Sequence, residues 1–145
     1  MTIKLAIASD HAGFTLKEYL KKNFSAVKVE WVDLGPDSTD SVDYPDFGKK
    51  LADAVANGDV PLGVAICGSG IGISIACNRN PKIRAALCTD STMARVTRLH
   101  NNANVLCLGE RITGTEVALD ILKAFLETDF EGGRHQRRVD KLTNC

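Results

Sequence analysis

Short apolar runs alternate along this chain with longer stretches whose apolar residues recur every three or four positions. Ile3 to Ser9 reads as a strand, and after Asp10, His11 and Gly13 the residues Leu16, Tyr19, Leu20 and Phe24 share one face of a helix. VKVEWVDL, Val27 to Leu34, alternates as a second strand with one wetter face. Residues 35–44, GPDSTDSVDY, form a polar loop long enough to act as a flap. Pro45 suits a first helical position, Phe47, Leu51 and Val55 carry the next helix, and Asn57 with Gly58 stops it. The third strand, Gly63 to Ile66, runs into a glycine-rich turn and a small-residue helix through Ala76. Ile83 to Cys88 is the fourth strand, and the helix from about Ser91 places Met93, Val96 and His100 on one side. Asn104 to Leu108 is the fifth. Val117, Ile121, Leu122 and Phe125 mark a further helix, and a basic one, RHQRRVDKL, starts at about 134.

Strands that alternate with helices predict an α/β fold: a five-stranded parallel sheet in a Rossmann-like three-layer αβα sandwich, one domain spanning 1–145. Ligands of such folds bind beyond the carboxyl ends of the strands. Asp10 and His11 follow the first strand, Cys67 and the glycine turn the third, Thr89 and Asp90 the fourth, and Gly109, Glu110 and Arg111 the fifth. These groups should converge on one rim. His100, in the polar company of Asn101 and Asn102, is expected on that rim as well.

Composition narrows the function. The 145 residues carry 18 Lys and Arg against 18 Asp and Glu, so any anion site is local and neither nucleic acid nor an anionic membrane is the expected partner. No apolar run reaches the ~20 residues of a membrane span, the first ten residues begin a strand and not a signal peptide, and a cytoplasmic protein is expected. Five cysteines with no CxxC pair disfavour disulfides and zinc. Cys77, Cys88 and Cys107 read as small core residues.

Cys67 stands apart because Gly68, Gly70 and Gly72 follow it, leaving only Ser69 and Ile71 with side chains in the turn. Such a turn brings bare N–H groups up to an anion. A thiol at its lip lies near the positive end of a helix dipole, which favours thiolate relative to an ordinary pKa of ~8.5. A dinucleotide fingerprint fails here, because Ile73 stands where the third glycine belongs, although Asp90 lies near the position of a ribose-binding acid. No lysine supports a nucleotide-phosphate loop, and no arginine closes a phosphatase loop. Arg134 and Arg138, at i and i+4, read either as a solvated helix face or as a bidentate phosphate clamp. His100 fits either a satisfied core-edge histidine or a working one, and Tyr44 either packs at a helix start or reaches a ligand.

Taken together, SDHAG, DYPDFG, ICGSGIGISIA, RLHNNANVL and GGRHQRRV resemble the type B ribose-5-phosphate isomerases over nearly the whole chain. That family also includes the allose- and galactose-6-phosphate isomerases. The resemblance implies a metal-free, cofactor-free aldose–ketose isomerase acting on ribose 5-phosphate. It also implies a homodimer whose active sites take residues from both subunits, with further pairing into tetramers left open. It implies Cys67 as the base at C2, the backbone from Gly68 through Gly70 and Ile71 to Gly72 as an anion hole, and Ser69 at its hydroxyl-bearing position. By the same resemblance His100 opens the furanose ring, Asp10 meets sugar hydroxyls, and Tyr44 and Asn101 touch the sugar. His11, Arg111, Arg134 and Arg138 bind phosphate, Arg111 by reaching the neighbouring subunit's site. Ile73 occupies the position of the glutamate base found in another branch, which indicates the cysteine branch. Galactose-6-phosphate isomerase divides these motifs between unlike subunits, whereas this chain carries them all. Another aldose phosphate, of four or six carbons, and a nucleotide-binding module remain as alternatives.

Overall fold

Leu5, Ala6, Ile7 and Ala8 are all fully buried, which only a strand covered on both faces achieves. They belong to β1 (Ile3–Ser9), an inner strand of a five-stranded sheet in a computed structural model that describes residues 1–145. β1 pairs in parallel with β2 (Val29–Asp33) on one side and β3 (Leu62–Cys67) on the other. β5 (Val105–Gly109) follows β3, and the short β4 (Ala85–Leu87) forms the edge, giving the order β2-β1-β3-β5-β4. The expected α/β class and parallel sheet are present. β4 is shorter than expected because Ile83 and Arg84 precede its ladder, Arg84 being held by Asn102 and Asn104.

Helices close both faces. A 3-10 turn (His11–Gly13) leads into α1 (Phe14–Asn23), and α1, α4 (Ser91–Asn101) and α5 (Thr115–Glu127) cover Leu5, Ile7, Val64, Ile66, Leu106 and Leu108. On the other face α2 (Tyr44–Ala56) and α3 (Ile71–Asn78) cover Ala6, Ala8, Ala65, Cys67, Val105 and Cys107. The second face is paved with small residues, so α2 and α3 approach closely. Cys77, Cys88 and Cys107 are buried free thiols, as expected of small core residues. Burial with the nearby charge of Asp90 pushes Cys88 up to about 12, and the hydrogen bond that the Cys107 thiol makes to Cys77, together with burial, raises Cys107 well above its ordinary value. α6 (Arg134–Thr143) packs on the end of α4.

Two helix faces differ from the periodicity reading. Met93 and Val117 point outward, while Ala94, Thr97 and Ala118 are buried. Small residues let α4 and α5 lie against each other, and the Arg98 guanidinium lies over the Phe125 ring, 5.5 Å from its centroid. Lys17 is 1% exposed, its ammonium 2.7 Å from Asp33 Oδ2, and Lys21 joins the same oxygen at 2.6 Å. Burial alone would raise the Asp33 pKa, but these two ammonium groups and the Gly35 N–H hold it below its ordinary value. This ion pair ties α1 to the end of β2.

Candidate active site

The chain reverses its order of strand addition between β1 and β3, so the crevice above their carboxyl ends is where a ligand fits. Asp10 and Cys67 flank it. Cys67 ends β3 almost fully buried, and the Gly70 N–H donates to its Sγ at 3.1 Å. Gly70 has φ +80, and a Cβ there would lie 2.5 Å from Leu87 Cδ1 and 2.9 Å from the Leu108 carbonyl carbon, so no other residue fits. Gly109 is equally constrained, because a Cβ would meet the Ser69 carbonyl at 2.5 Å. The turn thus rests directly on β5.

Past Gly70, helix geometry leaves the N–H groups of Ile71, Gly72 and Ile73 without carbonyls inside α3. Ile71 donates to Ser69 Oγ at 3.1 Å, so Ser69 braces the turn with its hydroxyl. The Tyr44 ring lies on Gly72, where a Cβ would be 2.7 Å from it, and the Arg111 guanidinium lies on Gly68 at 3.1 Å by the same construction. Arg111 therefore serves the turn of its own chain. The backbone bond from the Arg111 N–H to the Gly68 carbonyl, 2.9 Å, folds the 110–113 loop back over the turn.

Asp10 caps the 3-10 turn, its Oδ1 accepting from the Gly13 N–H at 3.0 Å. His11 holds the flap: its Nδ1 lies 3.1–3.2 Å from the carbonyl and amide of Val42, which leaves Nε2 to face outward. Asp90 is the N-cap of α4, accepting from the Met93 N–H at 2.8 Å, which accounts for it without a ribose. Glu110 accepts from the Leu16 N–H at 2.7 Å and so anchors α1.

His100 is not on this rim. α4 leaves the carboxyl end of β4 and runs back for about 16 Å. Its last turn lies where Asn104 donates to Arg84 and Gly63 to Asn104, at the amino ends of β4 and β3. Gly63 and Cys67 are about 13 Å apart along β3. Asn101 sits with His100, and the Glu131 N–H donates to the Leu99 carbonyl at 3.1 Å, which brings the start of α6 to the same end. Arg134 and Arg138 are therefore beside His100, exposed on one helix face, and neither joins any ion pair of the chain. The predicted residues form two groups at opposite ends of the sheet: Asp10, His11, Tyr44, Cys67, Ser69, the glycines and Arg111 above, and His100, Asn101, Arg134 and Arg138 below.

Residues 5–142 match the family described as Ribose/Galactose Isomerase. The chain belongs to that family. Ribose-5-phosphate isomerase B of Escherichia coli is 44% identical to it over 140 residues, 97% of this chain and 94% of that one. A solved ribose 5-phosphate isomerase of Thermotoga maritima superposes with a TM-score of 0.93 at 48% identity, covering 99% of both chains. The Mycoplasma genitalium ribose-5-phosphate isomerase B, solved with bound ribulose-5-phosphate, matches at 0.85 and 44% identity over 97% of this chain and 94% of that one.

One residue of this family member escaped the sequence reading. His135 is buried under the His100 ring, centroids 4.4 Å apart and planes 20° apart. The signal was a histidine between Arg134 and Arg138 in the GGRHQRRV segment, on the apolar side of that helix with Val139.

Proposed function

We propose that the protein is an aldose–ketose isomerase interconverting ribose 5-phosphate and ribulose 5-phosphate, working as a homodimer in which each site joins the upper group of one subunit to the lower group of its partner. Membership of the isomerase family and relatives acting on ribose 5-phosphate support the reaction. The observation that carries the mechanism is Cys67, with an N–H aimed at its sulfur and helix N–H groups beside it. The separation of His100 and the arginines from Cys67 by the length of the sheet supports the shared site, since one chain cannot assemble all of them. Ile71 and Ile75, 54% and 58% exposed on the outer side of α3 next to the turn, offer an apolar surface for the second copy to cover. The five free thiols fit a reducing, cytoplasmic setting.

In this reading Arg134 and Arg138 of one subunit and the outward Nε2 of His11 of the other clamp the phosphate, with Arg111 near them. His100 donates a proton to the ring oxygen as the C1–O4 bond breaks and the anomeric hydroxyl loses its proton, giving the open-chain aldehyde. Asp10, Tyr44 and Asn101 hold the sugar hydroxyls. The Cys67 thiolate then takes the proton from C2, and the electron pair moves through C1 to the carbonyl oxygen. The enediolate sits among the turn's N–H groups, whose preorganised dipoles typically supply ~3–4 kcal/mol each. Cys67 returns its proton to C1, the 2-hydroxyl proton passes to O1, and the ketose results. The clamp holds the chain at a distance from the reacting carbons.

The test is a panel of four-, five- and six-carbon aldose phosphates assayed with the purified protein. Preference for ribose 5-phosphate is expected. Preference for a six-carbon substrate would reassign the chain to a sister activity of the same family, and no turnover of any would overturn the reading.

A further inference from the structure

His100, Glu131 and His135 bring three metal-binding side chains within 4.8 Å of one another. The two rings nevertheless do not form a chelate. Their planes are 20° apart and face to face, so an ion in the plane of one imidazole lies out of the plane of the other. The stack itself is the feature that needs an account.

A histidine that moves protons is ordinarily aimed by a hydrogen bond to its second ring nitrogen. Here a flat ring meets His100 instead. His135 presents that ring from a buried position, 7% exposed, and its Nε2 has no hydrogen-bond partner, the Glu131 carboxylate lying 3.6 Å away. A buried polar atom left unpaired is a standing penalty, so hydrogen bonding is not what keeps the side chain there. What it does make is the face-to-face contact. Arg134 and Arg138 flank it on α6, and the Glu131–Leu99 bond fixes the start of α6 against the last turn of α4.

We propose that His135 is a positioning residue for ring opening, its flat ring and not its nitrogen holding the His100 imidazole at the angle from which it reaches the ring oxygen. This rests on the role given to His100 above. Two physical consequences follow. The stack confines the His100 side-chain torsions without occupying either of its nitrogens, so both stay available for proton transfer. It also works against a second positive charge beside His100: burial first, then the charges of Arg134 and His100, lower the His135 pKa, with Glu131 opposing.

The experiment compares His135→Phe, which keeps a flat ring and discards both nitrogens, with His135→Leu, which fills the space without a flat face. Circular dichroism and melting curves establish that each is folded. Substrates are ribose 5-phosphate and its 4-deoxy analogue, which lacks the ring-closing hydroxyl and is permanently open. His135→Phe should keep kcat on ribose 5-phosphate within about threefold. His135→Leu should lower it about tenfold, with KM little changed, the open-chain analogue unaffected, and no further loss in a His100→Asn background. Equal damage from Phe and Leu would show that the nitrogen is used and would overturn the proposal. So would a harmless Leu variant, or a loss appearing in KM or on the open-chain analogue. Failure of the underlying reading has a separate signature, equal losses on both substrates in His100→Asn alone.

Discussion

The two ends of the sheet are built differently. Above β1 and β3, the groups around Cys67 are backbone held from beneath: Gly70 and Gly109 leave no room for a methyl group, and Ser69, Arg111 and Tyr44 press on the turn from three sides. At the opposite end, His100, Asn101, Arg134 and Arg138 are side chains on helix ends, half-buried or exposed, with the His135 ring stacked on His100. The difference teaches which task each end suits. An oxyanion needs donors that do not reorganise, which close-packed backbone provides. A phosphate and a cyclic sugar arrive and leave, and long cations on an open helix face admit them.

The comparison breaks first at Cys67. Cys67→Ala should lower kcat about a thousandfold with an unchanged melting temperature, because only one N–H loses its acceptor; ordinary turnover would remove the base from the upper group. Mixing tests whether the ends cooperate across subunits. Cys67→Ala and His100→Asn chains, each nearly inactive, should recover about a quarter of wild-type activity when reassembled together, since half the dimers are mixed and each has one intact site. No recovery would place all the groups in one chain's site. Replacing Arg134 and Arg138 together by alanine should raise KM about a hundredfold with kcat changed less, measured by steady-state kinetics. Gly109→Ala should displace Ser69 and lower kcat about tenfold, and also destabilise the chain by about 1–3 kcal/mol in urea titrations.

The smallest effect lies outside both ends. The Asp33 carboxyl has a folded pKa below its unfolded one, so its contribution to stability is fully present above the unfolded value and is lost as pH falls through the folded one. Urea midpoints should therefore decline as pH drops below about 4, and Asp33→Asn should flatten that decline. An identical slope in the variant would assign the acid sensitivity to other carboxylates.

Much of this was legible in the chain. β1 spans Ile3–Ser9 and α6 begins at Arg134, as the apolar runs and the basic cluster predicted. The cysteine and alternate glycines announced a turn of bare backbone at a strand end, and Gly70 at φ +80 opens α3 there. Helix faces were less legible. Met93 and Ala94 are neighbours in sequence, and which of them faced the core depended on how closely α5 could approach, a matter of side-chain volume on both helices.

His100 shows the boundary most clearly. Its polar neighbours suggested the company of Cys67, but they share only local chemistry, and an eleven-residue helix carries its last turn a full sheet-height away from its first. By itself the sequence determined the alternation of strands and helices, the small-residue face under α2 and α3, and the glycine turn after Cys67, all of which depend on residues near one another in the chain. Tertiary structure alone decided that Arg111 closes over its own Gly68, that His135 lies flat under His100, and that the candidate site falls into two halves. Those relations depend on the direction in which each element crosses the sheet, and packing, not local pattern, sets where its end comes to rest.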